Sequence, residues 1–140
     1  MSMKRDEIKN ILPHREPMLL VDEVTLDGEY AHAVYNVRGD EFFLQGHFPG
    51  YPVVPGVILC EIMAQSSCML LVEELVNRTP FYAGIDKVRF KRQVRPGDKL
   101  DITTRILQRK GLMFVVEAEI RVSGDLCTKG QLTFVLVDNK

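Results

Sequence analysis

Cysteine is scarce, repeats are absent and net charge is almost nil; each of these shortages closes off a class of protein. The three cysteines in 140 residues are Cys60, Cys68 and Cys127. An odd number without close pairing does not read as a disulfide framework. Cys60 and Cys68 sit in an apolar stretch, where free cysteine behaves as a small hydrophobe. A reducing, cytoplasmic setting is the simplest expectation. The three histidines, His14, His32 and His47, lack the spacing of a metal site, so no metal is expected. Residues 1–7 carry charges with no apolar core behind them, so no secretory leader is read there. A net charge of −1 argues against general nucleic-acid binding.

That near-zero total hides an imbalance. Residues 1–80 hold 6 Lys/Arg against 12 Asp/Glu, and residues 81–140 hold 12 against 7. A basic second half suits an acidic partner. One apolar run, residues 53–72, has the length of a membrane span and a single charge, Glu61. It also contains Pro55, Gly56, Gln65, Ser66 and Ser67, and no basic residues flank it as a topology signal. A helix buried inside protein explains the run better than a membrane span does.

What the chain does have is 46% apolar residues over a length that fits one domain, 1–140, with one core. Residues 4–11 read as a short helix ending before Pro13. Residues 18–24 read as a strand, Asp27-Gly28 as a hairpin turn and residues 30–38 as the next strand. Pro49, Gly50, Pro52 and Pro55 pin the backbone through the following loop. The apolar run then predicts a long helix over about 56–76, apolar on most sides. The last third alternates with period two, most clearly at Phe114, Val116, Ala118, Ile120 and Val122. Turns at Pro96-Gly97-Asp98 and Gly124-Asp125 join these strands as neighbours, which implies an antiparallel sheet. The reading is α+β: about six antiparallel strands with one dry face wrapped on one long central helix.

The residues that bear chemistry are Gly46-His47-Phe48-Pro49-Gly50-Tyr51-Pro52-Val53-Val54-Pro55-Gly56, running into a helix with Glu61 in its second turn. A histidine in a pinned loop exchanges protons near neutral pH. A carboxylate on a buried helix is costly unless it is paired or used, and desolvation suits it to act as an acid. Gly56 opens the helix, where free N–H groups and the dipole favour negative charge. Base, acid and oxyanion donor together suit proton abstraction next to a carbonyl with loss of a β-leaving group. The residues alone leave room for a merely solvated loop histidine and for Glu61 in a salt bridge. Gln65, one turn after Glu61 on the same face, either orients that carboxylate or fills a wet gap.

The same stretch resembles the active-site signature of FabZ-type (3R)-hydroxyacyl-(acyl-carrier-protein) dehydratases. That signature is a His-Phe-Pro-Gly-x-Pro-x-x-Pro-Gly run followed by an acidic residue on the central helix. Leu12-Pro13-His14-Arg15 with Pro17 and Leu19-Leu20-Val21-Asp22 resembles the family's N-terminal signature. Ile85-Asp86-Lys87-Val88-Arg89-Phe90 with Val94-Arg95-Pro96-Gly97-Asp98 resembles its later strand and turn. The resemblance covers nearly the whole chain. It implies a hotdog fold, a curled antiparallel sheet around a long helix, and a dimer that commonly forms trimers of dimers. It implies that His47 of one subunit removes the α-proton and Glu61 of the other protonates the leaving hydroxyl. The Gly56 amide then binds the thioester oxygen. The substrate would ride on the 4′-phosphopantetheine of acyl carrier protein, with no metal or redox cofactor, in the elongation cycle of fatty-acid biosynthesis. Glu rather than Asp at the helical acid resembles FabZ more than the FabA type, which also isomerises the double bond. By the same resemblance Leu12, Pro13, His14, Phe48, Pro55, Gln65, Phe81 and Tyr82 bind or gate the acyl chain.

Lys87, Arg89, Lys91, Arg92, Arg95 and Lys99 place six bases within 13 residues. Lys87, Arg89 and Lys91 alternate with Val88 and Phe90, which puts the three on one strand face. They form either a solvated face or, with Arg92 and Arg95, a docking patch for the carrier protein. Besides a dehydratase that also isomerises the trans-2 double bond, as some close relatives with Glu do, three rival functions remain. One is a thioester hydrolase of the same fold. Another is an acyl-transfer enzyme using Cys60 near the helix N-terminus as nucleophile. The last is a non-catalytic acyl-thioester sensor, for which the chain has no spare partner-binding segment.

Overall fold

A computed structural model describes residues 2–139. A three-residue strand, β1 (Ser2–Lys4), leads into a single-turn helix, α1 (Arg5–Ile8). An extended segment without regular structure follows, then β2 (Glu23–Asp27) and β3 (Tyr30–Asn36). The pinned loop delivers the main helix, α2 (Gly56–Cys68), and four long strands complete the chain: β4 (Arg78–Phe90), β5 (Lys99–Lys110), β6 (Met113–Val122) and β7 (Asp125–Asp138). They form one antiparallel sheet in the order β1-β2-β3-β5-β6-β7-β4. The sheet has seven strands rather than about six, because Ser2–Lys4 adds a short strand on β2.

The period-two reading survives folding. Leu100, Ile102 and Thr104 of β5 and Phe114, Val116, Ala118, Ile120 and Val122 of β6 are buried. Helix α2 packs on this face, against β3, β5 and β6. Nine of its thirteen residues are buried, so its sequence carries no polar stripe. Ser66 and Ser67 are buried among them and turn their hydroxyls back onto the carbonyls of Ile62 and Met63 at 2.8 and 2.7 Å. The core thus takes two polar residues without an unmet donor. The β6–β7 hairpin turns at Ser123 and Gly124, with φ of 50° and 84°. Positive φ at both central residues is what a two-residue hairpin turn needs, and glycine meets it without strain.

Three expectations are corrected. The α-helix stops at Cys68, and a 3₁₀ turn covers Met69–Leu71 before the chain turns away. Apolar composition continues to residue 76, but those residues fill the core as turns rather than as helix, and composition cannot tell the two apart. The helix at residues 4–11 shrinks to four residues: Lys4 pairs with β2, and residues 9–11 tighten into turns whose Asn10 and Ile11 N–H groups bond the carbonyls three residues back. Residues 18–22 are not a strand. Leu19, Leu20 and Val21 are buried, but a helix side chain meets their backbone: Gln65 accepts from the Leu20 N–H at 2.8 Å and donates to the Met18 carbonyl at 2.7 Å. Arg5 fastens the same segment through the Leu19 carbonyl at 2.9 Å and Asp22 at 2.7 Å.

Edge strand β4 is bulged between Asp86 and Arg89, where Val88 crosses over Gly130 of β7. A Cβ on Gly130 would lie 2.5 Å from Val88 Cγ2 and 3.1 Å from its Cα. Gly130→Ala is therefore expected to cost roughly 1–3 kcal/mol, lowering Tm by roughly 3–10 °C in a thermal melt. Adding Val88→Ala removes the nearer contact and should return part of that loss.

Candidate active site

The pinned loop holds His47 at both backbone and side chain. The Val53 N–H donates to the His47 carbonyl at 2.8 Å, and His47 Nδ1 lies 2.9 Å from the Val53 carbonyl. A carbonyl only accepts, so Nδ1 carries the proton and Nε2 of the neutral ring keeps its lone pair. The Phe48 ring stacks on the imidazole at a centroid distance of 4.2 Å. Paired backbone bonds between Phe48 and Tyr51 close the intervening turn. The ring is thus fixed with Nε2 able to accept a proton.

His47 opens on a groove of about 530 Å³ that also includes Phe48, Val54, Gly56, Leu59 and Phe90. Gly56 begins α2, and its N–H belongs to the first turn, which has no intrahelical acceptor. A side chain there would collide with the Phe90 ring, whose Cζ lies 2.9 Å from the site of a Cβ. Glycine thus lets the Phe90 ring lie directly over the start of the helix.

Glu61 is elsewhere. Its carboxylate, with the side chain 19% exposed, faces a narrow cavity of about 50 Å³ lined by His14, Gln65, Cys68, Tyr82 and Phe134. Gln65 Nε2 donates to Glu61 Oε2 at 2.9 Å, and His14 Nε2 lies 3.3 Å from the same oxygen. No Arg or Lys pairs with it among the described residues. Of the two roles open to Gln65, the structure shows contact with the carboxylate. Within one chain His47 and Gly56 share a groove, while Glu61 lines a different cavity.

The remaining residues divide. His14, Gln65 and Tyr82 surround Glu61, whereas Phe48 belongs to the His47 groove. Tyr82 donates to the Cys60 carbonyl at 3.0 Å and packs on Phe134 at 5.5 Å. Burial first, and then the Glu61 charge, hold its phenol far above the usual range. Phe81, its neighbour on the strand, is 55% exposed and lines neither cavity; Leu12 is buried in the core, Pro13 is exposed, and Pro55 caps α2. Cys60 is buried, and burial followed by the Glu61 charge raises its thiol pKa. That is the opposite of the lowered pKa that activates a catalytic thiol, so the structure lends the acyl-transfer rival no support. Among the described residues no three His, Cys, Asp or Glu side chains gather as metal ligands would. No helix is long and apolar enough to cross a membrane.

Lys87, Arg89 and Lys91 do line one groove, although the bulge gives Lys87 a φ of 54°. Lys129 of β7 joins them, a base that strand alternation within β4 could not supply. Lys91 and Arg92 carry the basic surface into the His47 groove. Arg92 is tethered to Asp125 at 3.2 Å, and Arg95 lies over the Tyr51 ring at 4.3 Å.

Solved structures share this architecture. The dehydratase heterocomplex ApeI:P from Xenorhabdus doucetiae superposes with a TM-score of 0.81 over 94% of this chain and 91% of that one, at 23% identity. A fluoroacetyl-CoA-specific thioesterase, FlK, matches with a TM-score of 0.68 over 81% of this chain and 89% of its own, at 13% identity. The fold is therefore the hotdog fold, and it is common to dehydratase and thioesterase chemistries, so fold alone does not choose between them. The FabA-like domain family matches residues 12–131, which span the loop, the helix and both grooves. Proteins described as 3-hydroxyacyl-[acyl-carrier-protein] dehydratase FabZ match almost end to end. That of Caldicellulosiruptor bescii is 47% identical over 94% of this chain and 96% of its own length. That of Clostridium perfringens is 46% identical over 96% and 99%. The chain belongs to the FabZ dehydratases within the FabA-like domain family.

Proposed function

We infer that this chain is a 3-hydroxyacyl-(acyl-carrier-protein) dehydratase of fatty-acid biosynthesis, working as a cytoplasmic homodimer with a site built from two chains. The observation that carries the chemistry is the locked tautomer of His47, whose free Nε2 shares a groove with the amide that opens α2. Near-full-length identity to FabZ relatives supports the substrate class. Nε2 of His47 takes the α-proton of the acyl thioester. The Gly56 N–H bonds the thioester oxygen as negative charge develops there. The C–O bond at the β-carbon then breaks as Glu61 gives its proton, and water leaves from a trans-2-enoyl thioester. Carbon is neither oxidised nor reduced overall, so the reading calls for no redox cofactor.

The separate cavities of His47 and Glu61 support the two-chain reading. Strand β4 supports it, since it is a 13-residue sheet edge carrying exposed Phe81, Ile85 and Phe90. Such an edge invites pairing with another copy. Trimers of dimers are the further assembly proposed.

The decisive assay supplies 3-hydroxyacyl thioesters on carrier protein. Enoyl absorbance should rise with no release of free thiol; thiol release would instead establish a hydrolase, and absorbance from a shifted double bond would establish an isomerising dehydratase. The basic groove is proposed to dock the acidic carrier. Arg89→Glu with Arg92→Glu is then expected to lower kcat/KM at least about tenfold on carrier-linked substrate, mostly through encounter. The rate on a pantetheine thioester should stay unchanged, and the loss should shrink as salt rises.

A further inference from the structure

His14 is expected by resemblance to line the acyl tunnel, but its contacts fit a more specific task. Its Nε2 lies 3.3 Å from Glu61 Oε2, the oxygen that Gln65 Nε2 already meets at 2.9 Å. Its Nδ1 is buried and has no hydrogen-bond partner among the described residues. These two facts select the tautomer. A proton on Nδ1 would leave a buried N–H without an acceptor and aim a bare Nε2 at the carboxylate. A proton on Nε2 gains Glu61 as acceptor and leaves only a lone pair unmet, which is the smaller omission. The Gln65 amide cannot flip, because its Oε1 accepts from Leu20 and its Nε2 also donates to the Met18 carbonyl. Gln65 therefore donates to Oε2, and His14 Nε2 stands within ion-pair distance of the same oxygen.

The other groups facing Glu61 add no competing charge. Tyr82, from β4, stays a neutral phenol that donates to the Cys60 carbonyl at 3.0 Å and also lies within hydrogen-bonding reach of Glu61. Cys60 and Cys68, from α2, remain thiols: burial first and Glu61 second raise both, Cys68 to about 12. We propose that His14 is a positioning residue for Glu61: with Gln65 it saturates Oε2 with donors, so the proton that Glu61 delivers resides on Oε1, facing the substrate. The proposal rests on the reading of Glu61 as the acid. It assigns the N-terminal segment a part in proton delivery in addition to walling the acyl chain.

The test compares wild type, His14→Ala, His14→Gln and Glu61→Gln on two pantetheine thioesters, 3-hydroxybutyryl and 3-chlorobutyryl. Elimination from the second breaks the α C–H and C–Cl bonds and forms the same C=C bond. Chloride leaves with its electron pair and needs no proton. On the hydroxy substrate His14→Ala should lower kcat roughly tenfold, the scale of one lost hydrogen bond to an ionisable group, with KM within about twofold. His14→Gln, whose amide can donate to the same oxygen, should recover most of that rate. On the chloro substrate the losses in His14→Ala and Glu61→Gln should both be much smaller than on the hydroxy substrate. An unchanged hydroxy rate in His14→Ala, equal losses on both substrates, or no recovery in His14→Gln would each overturn the proposal. Full hydroxy activity in Glu61→Gln would instead overturn the assignment of Glu61 itself, whereas an inactive Glu61→Gln beside an unaffected His14→Ala defeats only the role of His14.

Discussion

His47→Ala and Glu61→Gln are each expected to lower kcat for enoyl formation by roughly 10²–10⁴-fold, the usual range for losing a positioned base or acid. The stronger result comes from combining them. The locked His47 and the free amide of α2 share one groove, and Glu61 faces a different cavity of the same chain. A dimer of one His47→Ala chain and one Glu61→Gln chain would keep one intact His–Glu pair of its two. When the mutants are unfolded together and refolded, random pairing makes about half the dimers mixed, so about a quarter of wild-type activity should return. Initial rates on the mixture, against each mutant treated alone, measure it. No recovery would mean that the pair acts within one chain, and the separation of the two cavities would then have to close by movement.

The second large effect is expected at Glu41, well away from the reacting groups. This carboxylate is 5% exposed and holds the start of the active-site loop. It accepts from the Tyr35 hydroxyl at 2.7 Å, the Gly39 N–H at 2.7 Å and the Arg38 N–H at 3.1 Å. Three residues later Leu44 supplies the carbonyl that receives the His47 N–H at 3.4 Å. Burial alone would raise its pKa, but the Tyr35 hydroxyl and the backbone donors outweigh it and hold the carboxyl below its usual 4.5. Glu41→Gln turns an amide donor toward these donors and should cost roughly 2–4 kcal/mol. The sign of the pH dependence follows from the depressed value. The stabilisation from the ionised group is fully present above its unfolded pKa and is lost as pH falls through the lower folded one. Urea melts should therefore show the largest gap between wild type and Glu41→Gln near neutrality, and that gap should narrow as pH drops below about 4.5. A gap independent of pH would show that Glu41 works by shape rather than by charge. Loss of His47-dependent activity ahead of global unfolding would show the clamp acting on the loop.

Much of this was legible in the chain because local patterns made it so. Alternation in residues 113–122 announced a strand with one dry face, since side chains on a pleated strand point to opposite sides every second residue. The density of proline and glycine around His47 announced a fixed loop, since these residues restrict φ or open it. The carboxylate of Glu61 stood out because it is the single charge in a run otherwise fit for a core. Other features were illegible for equally physical reasons. Leu19-Leu20-Val21 looked like a strand, yet its backbone is met by Gln65 from 45 residues away, and no local pattern encodes such a partner. Lys129 reaches the basic groove because β7 lies beside β4, a neighbour relation set by sheet order.

The sequence by itself determined the class of fold and, through its motifs, membership of a dehydratase family, because both depend on residue type and short spacing; it also singled out His47, Glu61 and the Gly56 amide as the candidate base, acid and oxyanion donor. Tertiary structure alone decided which imidazole nitrogen of His47 is free, that Gln65 donates to one oxygen of Glu61 with His14 beside it, and that Glu61 and His47 lie in separate cavities of one chain. Those depend on distances between residues far apart in the chain, which are fixed only when the sheet closes over the helix and brings their elements together.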